Sequence, residues 1–419
     1  MTGADARAAL LALPRFATDA AAYAPGLGRM RALLADLGDP HLAVSAVHVA
    51  GTNGKGSTAS LCAAVLTASG RRVGLHTSPH LVDLAERLRI DGAPAPDDWL
   101  GDAVARARPA FRRHRPSFFE ATTALAFLRF ADAEVDVAVV EVGLGGRLDA
   151  TNVARAAVSC VTHIGMDHTD LLGGTLGAIA AEKAGIARPD VPLLHALEPG
   201  EARDALGAEA RRRGAPVEAV RDTCRAAIAG GHLALSTPGR QVTAPLGLAG
   251  AHQAWNAALA VRAAEAVAPA LDDAAVARGL SEVAALSGLR GRAERWARDP
   301  RVTLDVAHNA DGWAAALGAV GDVPGRLWAL VGVVADKDAE SLGHLLAARD
   351  ARVLAVGLPG PRGRSAERLA AVLRDAGARA EATTPPAAQA AWAAAGPDDR
   401  LLVTGSHQTV AAVLDGWAE

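Results

Sequence analysis

The sequence predicts an α/β protein of two domains, and three observations carry that prediction. At 419 residues the chain exceeds what one ordinary core organises. Hydrophobic residues make up 50% of it but aromatics only 3%, so its cores are aliphatic rather than those of an aromatic-rich sandwich. Short β-branched or aliphatic runs alternate with longer alanine-rich segments, which is the pattern of a mainly parallel, doubly covered sheet.

In chain order, strands are expected at 42–50 (LAVSAVHVA), 72–78, 135–143, 156–165 and 191–196. Helices are expected between them at 57–68, 119–131 and 176–187. The less regular stretch 230–250 reads as a short antiparallel excursion, and the helix 251–268 follows it. The Gly- and Arg-rich run LSGLRGRAERWARDP (286–300) ends in proline and marks the domain boundary. A second alternation then starts at RVTLDVAHN (301–309) and continues through RLWALVGVV, ARVLAVGL and RLLVTGS. The expected division is therefore a domain 1–287, a linker 288–300 and a smaller, Rossmann-like α/β domain 301–419.

A formal charge of −3 and a pI near 6.5 argue against a general nucleic-acid or membrane-surface binder. They leave room for a local basic pocket for an anionic small molecule. Cys62, Cys160 and Cys224 form no C-x-x-C pair and are expected to be free, buried thiols. The N-terminus lacks a positively charged start, and no uncharged apolar run approaches the roughly 18 residues of a membrane span. A cytoplasmic protein is expected, with a monomer as the default.

The stretch HVAGTNGKGST (48–58) carries the first chemistry. A phosphate cradle needs converging backbone N–H groups, a helix that begins there and a lysine reaching the β/γ-phosphates. Three glycines, Lys55 and two hydroxyls, set between an apolar strand and an alanine-rich helix, supply them. The loop departs from G-x-x-x-x-G-K-[ST]: Val49 takes the first glycine's place, and Gly56 precedes Ser57. The first domain is accordingly expected to be a P-loop domain.

Such a site also wants an acidic residue at the end of a neighbouring strand to hold Mg²⁺. Glu141 stands there, followed by Gly143, Gly145 and Gly146, which let backbone approach a ligand. Asp167 and His168 follow the next strand, with Glu182 and Lys183 on the helix beyond. Thr77 and Ser78 end another strand, in HTSPHL (76–81). In the second domain, Asp305, His308 and Asn309 share a strand end just past Arg292, where a cleft closing on a nucleotide is expected. Strand ends of this kind converge on one sheet edge, where open α/β folds bind ligands.

Taken together these motifs resemble the folylpolyglutamate synthase and dihydrofolate synthase family, the folate branch of the ligases related to the murein ligases. GTNGKGS, TSPHL, FFEATTALAF, EVGLGGRLDATN, GMDH…EKAGI, HQAWNAALA and DVAHNADG occur in family order, from Ala24 to Val410. The loop's departures are that family's own form of it. The resemblance implies an ATP-dependent carboxylate–amine ligase working through an acyl phosphate. It implies that Asn53, Gly54, Lys55, Gly56 and Ser57 cradle ATP, helped by Asn256, Arg292 and Asp305. It implies Mg²⁺ on Ser78, Glu141 and His168, and a carbamylated Lys183 near the metal. Ser117, Phe118, Phe119 and Glu120 match the segment contacting the pterin-bearing substrate, as do Leu148, Asp149 and Ala150. His308 matches an active-site residue, so Lys55, Lys183 and His308 are the catalytic candidates.

The expected substrates are L-glutamate, ATP and either dihydropteroate or a reduced folate. Ala150 in LDATN looks like enzymes performing the first glutamylation or both, so a bifunctional enzyme is expected, with tail extension alone as the alternative. A murein ligase would place a UDP-sugar domain before the loop. A GTPase would need an N-K-x-D element, which VADKD (334–338) does not supply. Ala85 stands where many relatives carry Asn before a Glu-Arg pair, and His407 is an unexpected residue.

Overall fold

A computed structural model describes residues 1–14 and 26–417. Ala24 and Pro25, where the resemblance begins, lie outside the described residues. Contacts divide the chain into two compact units. The first comprises Met1–Gly247 and Gln253–Leu289, the second Leu248–His252 and Arg290–Glu419.

In the first unit, strands β1 (Ala46–Ala50), β2 (Val73–His76), β3 (Arg89–Ile90), β4 (Val137–Glu141), β5 (Ala156–Val161), β6 (Leu193–His195) and β7 (Val217–Ala219) form one sheet. Its order is β3-β2-β4-β1-β5-β6-β7, parallel except for β3. β1 and β4 are buried along their whole length, which is why they read as continuous apolar runs rather than alternating ones. Because β1 lies between β4 and β5, the loops after residues 50, 141 and 161 leave the sheet side by side. That adjacency places the site.

The helix Lys55–Ala68 is buried from Gly56 to Leu66, which explains its lack of an amphipathic stripe. It packs against the helices Gln253–Val267 and Asp273–Ser281. The expected excursion is a three-stranded antiparallel sheet of β8 (Arg225–Ala229), β9 (His232–Thr237) and β10 (Arg240–Pro245). The three cysteines are free and buried. No described helix is long and apolar enough to cross a membrane.

The second unit holds β11 (Glu294–Arg295), β12 (Val302–Leu304), β13 (Leu327–Val331), β14 (Arg352–Val356), β15 (Arg379–Thr383) and β16 (Arg400–Thr404), ordered β11-β12-β16-β13-β14-β15. All neighbours pair in parallel except β11 with β12. The fully buried Trp313 anchors its core, with its indole N–H donating to the Ala307 carbonyl (3.0 Å).

Candidate functional site

The loop after β1 is held from outside. At Gly51 (φ 152°) a Cβ would stand 1.8 Å from Thr162 Oγ1, and at Gly54 (φ 86°) one would stand 2.5 Å from Asn256 Oδ1. Only glycine fits either position. The Thr162 hydroxyl donates to the Asn53 carbonyl (2.7 Å), and the Thr52 amide donates to the His163 carbonyl (2.7 Å). The Asn256 amide group donates to Gln253 Oε1 (2.8 Å). Asn256 thus lies against the loop, in the same unit. Gly54 caps the helix that starts at Lys55, and Ser57 is buried on its first turn.

Two lysines converge on one carbonyl. Lys55 Nζ donates to Gly51 O (3.0 Å) and Thr52 O (2.9 Å), and Lys183 Nζ reaches the same Gly51 O at 2.9 Å. Lys183 is only 3% exposed. Burial, and then the charge of Lys55, bring its pKa down to about 7, against the opposing pull of Asp167, Asp149 and Glu182.

Glu141, 3% exposed, ends β4 and accepts a hydrogen bond from the Ser78 amide (2.9 Å). This joins two of the three expected Mg²⁺ ligands. A carboxylate and a serine side chain at the ends of the paired strands β4 and β2 are oxygen donors of the kind a hard cation takes alongside water and phosphate oxygens. His168 is exposed, in left-handed conformation, with its Nε2 3.9 Å from Asp167 Oδ1. Among the described residues no group of three His, Cys, Asp or Glu side chains stands ready for a metal, so the protein donors fit Mg²⁺ only as a partial shell.

The substrate candidates divide by what their side chains touch. Ser117 and Glu120 form a capping box at the start of the helix Phe118–Asp132, and Glu120 also pairs with Arg29 (2.9 Å). The Phe118 ring lies under the Arg87 guanidinium (5.0 Å), and the Phe119 ring packs 6.0 Å from that of His76. Asp149 is buried and accepts from the Leu144 and Thr151 amides (2.9 Å each) and from the Thr151 hydroxyl. Burial raises its pKa, against those hydrogen bonds. Leu148 is half-buried and Ala150 buried beside it.

In the second unit, Asp305 accepts from the Ala293 amide (2.7 Å) and the Ala307 amide (2.8 Å). Burial raises its pKa, and the Arg292 charge works against that rise. His308 Nδ1 lies 3.1 Å from the Val306 carbonyl. A carbonyl only accepts, so Nδ1 carries the hydrogen and Nε2 keeps its lone pair in the neutral ring. The rings of His308 and His407 stand 6.2 Å apart. They are brought there because the Ala307 carbonyl accepts from the Gly405 amide (3.0 Å).

Sequence reasoning passed over Thr162 and Gln253, which buttress the phosphate loop. A polar residue ending an apolar strand beside a glycine loop was the available signal. His80 and Arg87 stand in stretches noted only as family motifs, TSPHL and the Glu-Arg pair, and it is the fold that brings both to the Phe118 ring.

Two family models match the chain: the Mur ligase middle domain over residues 49–191 and the Mur ligase glutamate ligase domain over 291–407. The dihydrofolate synthase/folylpolyglutamate synthase of Escherichia coli (strain K12) is 36% identical over 394 residues, covering 93% of this chain and 90% of that one. The folylpolyglutamate synthase of Lacticaseibacillus casei is 34% identical over 405 residues, covering 92% of each. The solved structure of E. coli FolC in complex with DHPP and ADP matches with a TM-score of 0.89 and 33% identity, over 99% of this chain and 97% of that one. The Yersinia pestis bifunctional folylpolyglutamate synthase/dihydrofolate synthase, complexed with AMPPNP and Mn ion, matches at 0.88 and 31%, over 100% and 98%. The chain spans about half the length of two haloarchaeal relatives, from Haloferax volcanii and Halobacterium salinarum. It matches both at 38% identity, covering 94% of itself but 48% and 49% of them.

Proposed function

The chain belongs to the folylpolyglutamate synthase/dihydrofolate synthase family, and on that premise we propose that it joins L-glutamate to dihydropteroate and to the glutamate tail of reduced folates at the expense of ATP. The observation that carries this reading is the meeting of Lys55 and Lys183 on the Gly51 carbonyl, beside the strand end that bears Glu141.

Hydroxide is a poor leaving group, so a carboxylate must be activated before an amine can displace it. In this reading a substrate carboxylate oxygen bonds to the γ-phosphorus of ATP as the bond to the β-phosphate oxygen breaks and ADP leaves. Glutamate's amine then attacks the acyl carbon and inorganic phosphate departs. Asn53, Gly54, Gly56 and Ser57 frame the phosphates, and Lys55 offsets charge on the migrating phosphoryl group. Ser78, Glu141 and His168 would hold Mg²⁺, which supplies charge neutralisation at the phosphate oxygens.

Lys183, with its pKa near 7, is neutral often enough to add to CO₂. The resulting carbamate would replace a buried ammonium by an anion suited to the metal. Phe118 and Phe119 offer stacking faces, while Ser117, Glu120 and Asp149 fix the backbone that carries Leu148, Ala150 and those rings. Asn256, Arg292 and Asp305 are assigned to ATP. His308, through Nε2, would take the proton that glutamate's ammonium must lose before its amine can attack. The reading extends to a cytoplasmic monomer without nucleic-acid partners, supported by the formal charge of −3; light scattering tests the monomer.

The test offers Mg·ATP and L-glutamate with dihydropteroate in one tube and tetrahydrofolate in another, following phosphate and product mass. Glutamylated product in both is expected. Product only with tetrahydrofolate would assign tail extension alone, and glutamate-independent ATP binding without product would overturn the ligase.

A further inference from the structure

The N-terminal edge of the second unit's sheet carries a charged cleft that no role above uses. Its volume is about 380 Å³, and Arg326, Asp350, Arg352, Arg374, Arg379 and Glu381 line it. Arg326, Arg352 and Arg379 stand at or just before the starts of β13, β14 and β15, and Arg374 lies in the last turn of the helix Ala366–Asp375. β12, β16, β13, β14 and β15 all run parallel, and Asp305 and His308 follow the C-terminal end of β12. The cleft therefore sits at the opposite sheet edge from those two residues and is separate from them.

Four guanidiniums against two carboxylates leave the lining an excess of two positive charges. Arg352 Nη2 pairs with Glu381 (3.0 Å) and Arg379 Nη2 with Asp350 (3.1 Å), both in the open, where ion pairs contribute little and exchange readily. The other two arginines have no carboxylate of the lining. Arg374 Nη1 donates to the Ala380 carbonyl (3.0 Å), and among the described residues the Arg326 side chain makes no hydrogen bond. Asp399, outside the lining, also attracts Arg326, and is itself held by the Arg326 amide (2.8 Å) and the Trp328 indole (3.1 Å). That same Trp328 ring lies 4.3 Å under the Arg352 guanidinium, so its plane is set before any anion arrives and little rotamer entropy is lost on binding. A planar carboxylate matches one guanidinium fork, whereas a tetrahedral phosphoryl group offers oxygens to donors converging from several sides. Arginines supplied by three strand starts and a helix end form the second arrangement.

We propose that this cleft binds a small phosphorylated anion carrying two or more negative charges, at a site separate from catalysis. The anion would take N–H donors from Arg326 and Arg374 and displace the exposed carboxylates from Arg352 and Arg379. The assignment does not depend on the ligase reading.

Calorimetric titration of inorganic pyrophosphate into the full chain tests this, in a Lys55→Ala background that weakens the phosphate loop as a competing site. Pyrophosphate is expected to bind about tenfold more tightly than citrate at equal ionic strength. Arg326→Gln combined with Arg374→Gln should weaken it by about tenfold or more. Glu381→Gln, which removes a competing carboxylate, should tighten it about threefold. Damage to the fold would not produce that gain, so Glu381→Gln answers the question if the double variant does not fold. No binding at millimolar pyrophosphate, or an affinity unmoved by either change, would overturn the proposal. Citrate binding as tightly as pyrophosphate would overturn the phosphoryl assignment.

Discussion

Two glycine-rich loops leave neighbouring strands of the same sheet, and they are held by opposite means. The loop after β1 is gripped from outside, by Thr162, His163 and Asn256, while its own lysine folds back on Gly51 and Thr52. The loop after β4 holds itself, through Asp149 accepting from the amides of Leu144 and Thr151. Gly146 then seats it against the next helix, where a Cβ would stand 2.8 Å from the Lys183 carbonyl. The first loop keeps a half-buried charge folded back on its own carbonyls, and the second buries its charge as a fastener. Two motifs that look alike as sequence should therefore fail differently: one by losing turnover, the other by losing fold.

The sharpest way to break that contrast is Lys55→Ala. Turnover should fall about 10²–10³-fold, since a positioned charge opposite developing phosphate charge is removed, while unfolding stability moves by less than about 1 kcal/mol. Steady-state phosphate release and urea unfolding measure the two. Asp149→Ala should reverse the pattern. It leaves the buried Thr151 amide and the half-buried Leu144 amide without an acceptor, so a loss of about 3 kcal/mol is expected in the same urea titration. Asp149→Asn should cost less because one acceptor oxygen remains. If Asp149→Ala kept full stability and lost only substrate affinity, the two loops would not differ in kind.

How legible this was depends on what each residue's partner is. β1 and β4 announce themselves because strands buried on both faces need unbroken apolar runs, and Lys55 because a helix start with glycines is a local pattern. β15 (RAEAT) was not legible, since alanine and charge alternate there without β-branched residues before Thr383. The S-x-x-E of Ser117 and Glu120 spells a capping box as plainly as it matches the family's substrate segment, and the structure shows the cap. Lys183 looks like an exposed helix lysine; only the packing of its helix against the loops after β1 and β4 buries it. The contacts of Arg87 with His80 and Phe118 are likewise tertiary.

Lys183 sharpens the comparison because it touches both loops, bonded to Gly51 and lying beneath Gly146. Its folded pKa of about 7 lies below the ordinary 10.5. Between those values the unfolded chain binds a proton that the folded chain has released, so stability rises with pH across that window. Below about 7 the folded state carries the buried charge and the penalty is complete; above 10.5 it vanishes. Lys183→Met, in bicarbonate-free buffer, should therefore gain stability over the unmodified chain at pH 7, by about 3.5 kcal/mol more than at pH 10. A difference that does not change with pH would mean that this amine is not held neutral by its surroundings.

The smallest effect tests whether a cap and a contact can be told apart. The Ser117 hydroxyl accepts from the Glu120 amide (3.3 Å) and donates to its carboxylate (2.8 Å), and the Ser117 amide donates to the same carboxylate (2.8 Å). With those bonds made, the hydroxyl's work is to start the helix and so aim Phe118 and Phe119. Ser117→Ala should then cost about 1 kcal/mol in urea unfolding, the ordinary loss of a helix N-cap. It should change KM for dihydropteroate by less than about threefold. Ser117→Asp, which can cap but carries a charge, separates the alternatives. As a cap it should restore most of the stability and leave KM near that of the unmodified chain. If the hydroxyl itself bound substrate, the carboxylate would repel an anionic ligand and KM would climb about tenfold or more while stability recovered. That divergence would move Ser117 from the class of the Asp149 loop, which shapes the site, to that of the Lys55 loop, which acts on the ligand.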